Sequence, residues 1–282
     1  MLCRWSRHCK RSRVFMETDR LQDDDWAVPE FRLTSYRERS LDYCVCIPVI
    51  NEGDKIRRQL GRMREAGVHE IADIYILDGG STDGSLADDF LRSHHVSALL
   101  VKTGPGKLSA QLRMGYAFAL RAGYRGIVTI DGNDKDGMEA IAGIIERMRA
   151  RVDFVQGSRY QPGGQALNTP LVRGLASRLI HAPVLSVAAG FHYTDTTNGF
   201  RGYSRRLLLD PRVRPFRDVF ETYELLAYLT VRAPRLGFRV EEFPVVRAYP
   251  ATGKVPTKIS SFRGNLLLMS ILLRAARGAY NP

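Results

Sequence analysis

Three short stretches hold residue types that could do chemistry together. Asp131-Gly-Asn133-Asp134, with Asp136 just beyond, offers closely spaced oxygen atoms. Mg²⁺ and Mn²⁺ favour such oxygens and fill their other positions with water and substrate phosphates. A plain Asp/Asn turn is the simpler reading. Asp78 heads the loop Asp78-Gly-Gly-Ser-Thr-Asp-Gly84. Its carboxylate could accept from a nucleobase N–H or a ribose hydroxyl, or merely cap the turn. Gly104-Pro-Gly106-Lys107 brings bare backbone and a cation close together, as a phosphate needs. Base, ribose, phosphate and cation would together make a nucleotide-like ligand.

Elements must bring these stretches to one edge. Apolar runs over Tyr43–Ile47, Ile71–Leu77, Val96–Val101, Gly126–Ile130 and Val152–Gln156 read as strands, the first ended by Pro48. Helical spacing falls between them, over Asp54–Ala66, Leu86–Arg92, Leu108–Ala122 and Met138–Arg149. Strand–helix alternation predicts an α/β fold, a Rossmann-like, mostly parallel sheet with helices on both faces. In such sheets ligands sit at the carboxyl ends of the strands. Asn51-Glu52, Asp78, Gly104 to Lys107, Asp131 to Asp136 and Gly157-Ser-Arg159 all follow strands in that sense. No Walker A pattern is present, nor a Gly-x-Gly-x-x-Gly after the first strand, which removes P-loop and dinucleotide-oxidoreductase readings.

The chain has 282 residues, 44% hydrophobic and 26% charged, with 42 Lys+Arg against 30 Asp+Glu, a net +12. These values exclude wholesale disorder and a disulfide mini-scaffold. No apolar run reads as approaching the roughly 20 residues of a spanning helix. The +12 calls for an anionic partner: nucleic acid, a phosphorylated small molecule or an acidic membrane surface. Aromatic residues are not interleaved with Lys/Arg as a nucleic-acid platform requires, so no nucleic acid is expected. Cys44 and Cys46 read as buried thiols in a reduced, cytoplasmic setting. Cys3, His8 and Cys9 fit no standard zinc spacing.

Residues 1–40 read as a mobile tail, basic and then acidic, with Met16 as an alternative start. Residues 261–282 form a basic amphipathic segment. It suits either peripheral contact with a membrane at its inner face or packing on the same domain or on a second subunit in a homodimer.

Ile47-Pro-Val-Ile-Asn-Glu-Gly53, Leu77-Asp-Gly-Gly-Ser-Thr-Asp-Gly-Ser85 and Ile130-Asp-Gly-Asn133 resemble the family 2 glycosyltransferases, which have the GT-A fold. Gly157-Ser-Arg-Tyr160, Asp195-Thr-Thr-Asn-Gly-Phe-Arg201 and the later Glu221, Glu224, Gly237 to Pro244, Arg247 and Thr257-Lys258 are similar to the dolichol-phosphate mannosyltransferase branch. The resemblance implies one domain over 41–260, its donor half about 41–160 and its acceptor half about 161–260. It implies inverting, metal-dependent transfer of a sugar from a nucleoside-diphosphate sugar to a sugar, lipid or polyprenyl-phosphate acceptor. By position, Pro48, Asn51, Glu52, Asp78 and Lys107 would hold the donor. Asp131 and Asn133 would stand where the family's metal-binding Asp-x-Asp lies, with Asp134 or Asp136 in support. Arg159, Arg201, Arg247 and Lys258 would face phosphates. Asn133 replaces the second Asp, which keeps an oxygen and loses a charge.

A hydroxyl acceptor needs a general base within about 3 Å of the attacking oxygen. An ionised lipid phosphate needs none. Asp195 is the leading candidate base, ahead of Glu221 and Glu224, which would share a face if helical. A sugar nucleotidyltransferase is the remote rival. It would carry a Gly-rich basic loop where Pro48-Val-Ile-Asn-Glu52 stands.

Overall fold

The computed structural model describes residues 23, 25–250 and 262–282. Lys258 and most of the predicted tail lie outside them. The chain divides into two compact units, residues 1–134 with 216–222, and residues 135–215 with 223–282. The change of unit thus falls near residue 134, earlier than the donor–acceptor boundary read near 160.

The first unit runs β1 (Phe31–Ser35), β2 (Tyr43–Val49), α1 (Asp54–Glu65), α2 (Val68–Ile71), β3 (Asp73–Asp78), α3 (Asp88–Ser93), β4 (Val96–Lys102), α4 (Leu108–Arg121) and β5 (Gly126–Thr129). Its strands lie in the order β1-β4-β3-β2-β5. β2, β3, β4 and β5 pair in parallel, and β1 runs antiparallel on β4. β3 is buried along its whole length, as continuous apolar runs in a covered parallel sheet must be. α1 buries Ile56, Leu60 and Met63 on one stripe. The mostly parallel α/β pattern read from the sequence is present.

Three local readings differ. Pro48 does not end β2; the strand continues to Val49, and the Pro48 carbonyl accepts from Gly132 N at 3.3 Å. β3 begins at Asp73 rather than Ile71, because Gly67, at φ +65°, closes α1 and a single helical turn intervenes. Residues 31–35 are no tail: they form β1, while Trp26 stacks on Phe216 at 4.0 Å.

The second unit contains α5 (Ala140–Arg149), β6 (Phe154–Ser158), β7 (Gln165–Leu167), α6 (Leu171–Ala176), a π-helical turn (Ser177–His181), α7 (Ala182–Ala189), β8 (Arg201–Ser204), α8 (Arg205–Leu209), α9 (Glu224–Arg235), β9 (Val240–Pro244), β10 (Val246–Ala248) and α10 (Phe262–Ala276). β6 lies between antiparallel β8 and parallel β9, and β7 pairs with β10 in parallel. Leu185 of α7, Val231 of α9 and Leu272 of α10 form one apolar cluster. α6, the π turn and α7 make one helical stretch, Leu171–Ala189, of 19 residues with mean hydropathy 1.2. That corrects the expectation of no near-spanning apolar run. Gly174, Ser177, Arg178 and His181 break the run by eye but not the helix.

α4 is held against β3 by a glycine. A Cβ at Gly115 would lie 2.3 Å from Leu77 Cδ1, directly before Asp78. Gly115→Ala should therefore destabilise the protein by about 1–3 kcal/mol through overpacking, although alanine gains about 1 kcal/mol of helix propensity. Urea unfolding measures this, and the loss should shrink in a Leu77→Val background.

Candidate active site

In the first unit the ends of β2 and β3 are tied into one rim. The Asp78 carboxylate, 4% exposed, accepts from Ser81 N at 2.9 and 3.0 Å and from Ser81 Oγ at 2.6 Å. Ser81 Oγ accepts in turn from Asn51 N at 2.9 Å, and Asn51 Oδ1 accepts from Thr82 N at 2.8 Å. Asn51 adopts φ +49°, a conformation asparagine tolerates better than most residues. The turn-capping role of Asp78 is thus real, and it shapes the loop that follows β3. Gln111 Nε2 donates to Val49 O at 2.9 Å and Leu77 O at 3.0 Å, clamping the two strand ends from beneath. A side chain at Gly79 would meet that amide at 2.9 Å, which explains Gly79 beside Asp78.

Other donor-side residues are less engaged. Pro48 is half-buried and Glu52 pairs with Lys55 at 3.1 Å. Lys107 is exposed at the start of α4, its backbone N–H donating to Glu221 O at 2.7 Å. Lys102, near Asp78, donates to Gly104 O at 2.6 Å. Burial pulls its ammonium pKa down, and the Asp78 charge partly offsets this.

The oxygen cluster separates into two parts. Asn133 Nδ2 donates to Asp131 Oδ2 at 3.4 Å, while Asn133 Oδ1 is buried and has no hydrogen-bond partner. An orphaned buried acceptor beside a carboxylate fits a hard cation. Gly132 between them has no room for a Cβ, which would stand 2.8 Å from Val49 Cγ2. Asp134 turns elsewhere. At φ +58°, its carboxylate bonds Arg58 Nε and Arg62 Nη1, each at 3.0 Å, and its N–H donates to Gln59 Oε1 at 2.8 Å. Its expected support of the metal is not what this geometry provides. Among the described residues no group of three or more His, Cys, Asp or Glu gathers as a metal site. Asp131 and Asn133 alone would leave most positions to water and substrate phosphates.

In the second unit the Asp195 loop forms a buried network. Arg159 grips Asp195 with two bonds, Nε–Oδ2 at 2.6 Å and Nη2–Oδ1 at 3.0 Å, and reaches Thr197 Oγ1 at 2.7 Å. Thr197 N donates to Asp195 Oδ1 at 3.1 Å. Ser177 Oγ, on the π turn, lies 3.4 Å from Asp195 Oδ1 and 2.8 Å from Thr197 Oγ1. Glu242 of β9 accepts from Thr194 N at 2.9 Å and Asp195 N at 3.0 Å, fixing the loop from its other side. Burial pushes the Asp195 carboxyl up, but the Arg159 hydrogen bonds and charge outweigh it and hold the pKa below the ordinary value. A fully buried carboxylate with both oxygens engaged and a lowered pKa is not poised as a general base. The leading candidate base is therefore reassigned to a positioning role.

The other two candidates do not share a helical face. Glu221 is exposed and precedes α9, whereas Glu224 opens α9 and is buried near Tyr280. Arg201 is also corrected. It is 2% exposed and donates to the carbonyls of Asn198, Thr196 and Leu226 at 2.8–3.0 Å, so it braces the loop instead of facing a phosphate. Arg247 is buried against Asp136.

Arg173, Arg178 and Lys135, which no motif marked, gather with Arg159 around two tyrosines. Arg173 Nη1 donates to Tyr249 Oη at 3.1 Å, and Lys135 Nζ lies 4.7 Å from that ring's centroid. Arg159 and Arg178 flank the Tyr160 ring at 5.2 and 5.3 Å. Burial raises the Tyr249 pKa, but the Arg173 hydrogen bond and the Arg247 and Arg173 charges bring it below its usual value. The neighbouring guanidinium groups favour the ionised phenol, with Arg159 and Arg247 themselves paired to Asp195 and Asp136. Gln111, Ser177 and Arg173 had no motif to announce them, and Glu242 stood within the Gly237–Pro244 run without a role assigned to it. The one available signal was a polar residue on a buried helix or strand face.

The family model "Glycosyl transferase family 2" matches residues 44–210. The chain is similar to polyprenol monophosphomannose synthase of Mycolicibacterium smegmatis, with 30% identity over 207 residues, 71% of this chain and 75% of that protein. It is likewise similar to undecaprenyl-phosphate mannosyltransferase of Micrococcus luteus, with 30% identity over 203 residues, 71% of this chain and 80% of that protein. Among solved structures, glucosyl-3-phosphoglycerate synthase of Mycobacterium tuberculosis in complex with Mn²⁺, UDP and phosphoglyceric acid has a TM-score of 0.59 at 16% identity, covering 84% of this chain and 79% of that one. That likeness shows the fold alone, the GT-A architecture expected from the motifs.

Asp195→Asn leaves the Arg159 guanidinium buried without its counter-charge. It should lower stability at pH 7 by about 3–5 kcal/mol. The pair's contribution is fully present above the unfolded carboxyl pKa of about 3.9, and is lost as pH falls through the lower folded value. In urea unfolding the gap between the two proteins should stay flat from pH 7 to about 5 and close in stronger acid.

Proposed function

We propose that this chain, which belongs to glycosyl transferase family 2, moves a mannosyl or related hexosyl group from a nucleoside-diphosphate sugar to a polyprenyl phosphate, with inversion, at the cytoplasmic face of a membrane. One observation carries the choice of acceptor. The leading candidate base, Asp195, is buried, ion-paired and acid-shifted, so it is unsuited to deprotonating a hydroxyl. A phosphate acceptor arrives already ionised. The gathering of Arg173, Arg178 and Lys135 around Tyr160 and Tyr249 supports this reading. The names of the two mannosyl-transferring relatives point the same way.

On the donor side, Asp78, Asn51 and Glu52 would shape the nucleotide rim, and Lys107 would approach a phosphate. Asp131 and Asn133 would hold Mg²⁺ or Mn²⁺, which when bound neutralises charge building on the leaving diphosphate. The Asn133 Oδ1 left without a partner is the support for this. Asp131→Ala should abolish the rise in melting temperature caused by a nucleoside diphosphate with Mn²⁺. Asp134→Ala should keep that rise on a lower starting temperature, because Asp134 serves Arg58 and Arg62.

Acceptor identity is tested by screening UDP- and GDP-linked sugars against a short polyprenyl phosphate, the corresponding polyprenol and 3-phosphoglycerate. Label should pass to the polyprenyl phosphate and not to the alcohol. Transfer to 3-phosphoglycerate alone would overturn the reading. Arg173→Ala should cut kcat/KM for the lipid phosphate about 10–100-fold, the worth of one charged hydrogen bond, with donor binding unchanged.

A further inference from the structure

The long helical stretch Leu171–Ala189 shows two opposed faces. Leu171 is 83% exposed, Val172 82%, Leu179 69% and Val187 81%, with Leu175 and Ile180 also exposed. Residues 171, 172, 175 and 179 share one side of a helix. Single exposed apolar residues need no explanation, but a contiguous row of this size marks an interaction surface. The opposite side is engaged. Arg173 bonds Tyr249, Ser177 reaches Asp195 and Thr197, and Leu185 packs with Val231 and Leu272.

The apolar surface continues beyond this stretch. A groove of about 460 Å³ between α7 and α10 is lined by Pro183, Val184, Val187, Ala188, Leu273, Ala276 and Arg277. Leu266 and Leu267 of α10 are exposed as well. The charge pattern is one-sided. Residues 171–194 and 262–282 contain Arg173, Arg178, Arg263, Arg274 and Arg277 and no Asp or Glu.

We propose that the outer face of Leu171–Ala189, continued by α10, lies on an anionic lipid bilayer as an interfacial helix. Apolar side chains facing outward from two segments that carry no acidic residue, with Arg277 lining the groove, suit a surface of acyl chains beneath negative headgroups. A spanning arrangement conflicts with the inner face. Ser177 is tied to the Asp195 network, and Arg235 donates to the carbonyls of Val187 and Ala188. The inference rests on the lipid-phosphate reading in one respect: the same helix carries Arg173 and Ser177 toward the anion environment and Leu171, Leu175 and Leu179 toward the lipid. The contact foreseen for residues 261–282 becomes the smaller part of a surface centred on 171–187.

The test is co-sedimentation of the full chain with vesicles of phosphatidylcholine, with and without 30% phosphatidylglycerol (about that fraction suffices for a surface potential). The unaltered protein should bind the anionic vesicles. A Leu171→Glu, Leu175→Glu, Leu179→Glu protein should bind at least about tenfold more weakly, while transferring sugar to a short, water-soluble polyprenyl phosphate as before. Equal vesicle binding by both proteins overturns the proposal. So does a dimer in size-exclusion chromatography that these substitutions split, with no vesicle binding by the unaltered chain. Leu175→Trp gives an independent reading: its emission should shift to shorter wavelength on anionic vesicles, and no shift counts against insertion. Failure of sugar transfer by either protein would sink the acceptor assignment while leaving the vesicle result to be read separately.

Discussion

The second unit is organised around one ion pair, the two-pronged grip of Arg159 on Asp195. Both side chains are almost wholly removed from water, and burying either charge alone would be severely unfavourable. The surroundings supply what the pair lacks. Thr197 and Ser177 bond the carboxylate, Glu242 fixes the two N–H groups at its start, and Arg201 gathers the carbonyls around it. The loop between α7 and β8 is thereby tied to β9, to the π turn and to the chain after β6. The price is chemical: a carboxylate so satisfied has no tendency to take up a proton. Rigidity and basicity are alternatives here, and the structure has chosen rigidity.

The first unit solves a different problem with smaller forces. Its rim consists of short polar turns after strands, each of which would be mobile by itself. Asp78, Ser81, Asn51 and Thr82 link two of them through hydrogen bonds, and Gln111 fastens the strand ends below. Gly132, crowded by Val49, sets the spacing between Asp131 and Asn133.

Much of this was legible in the order of residues. Strands buried on both sides show themselves as apolar runs, and the helices between them as 3.6-residue periodicity, so the parallel α/β core was readable. So were the positions of Asp78 at the end of β3 and of Asp131 and Asn133 just after β5. Arg201 and Asp195 misled for a common reason. A charged residue in a motif looks the same whether it faces a ligand or holds a loop, since the distinction lies in partners distant in sequence. Arg159 and Asp195 are 36 residues apart, and Gln111 and Val49 are 62 apart. Such pairings are set by topology, which local spacing does not encode. The exposed row of Leu171–Ala189 was hidden differently, because Arg173, Ser177 and Arg178 interrupt its apolar letters and only the three-dimensional path shows that they occupy another side.

The π-helical turn at Ser177–His181 gives that path an unusual relation to the residue count. It winds more residues into a turn than the surrounding α-helix does, as if one residue had been slipped into the run. Each residue of an α-helix advances the chain by about 100°. Loss of a single codon within this turn would barely alter composition or hydropathy. An ordinary α turn would take its place, because four α-helical residues sweep nearly the angle of five π-helical ones, and α6 would keep its rotation relative to α7. The turn thus holds one residue of slack, and it absorbs that residue while Ser177 stays on the Asp195 side and Leu171 and Leu175 stay on the other.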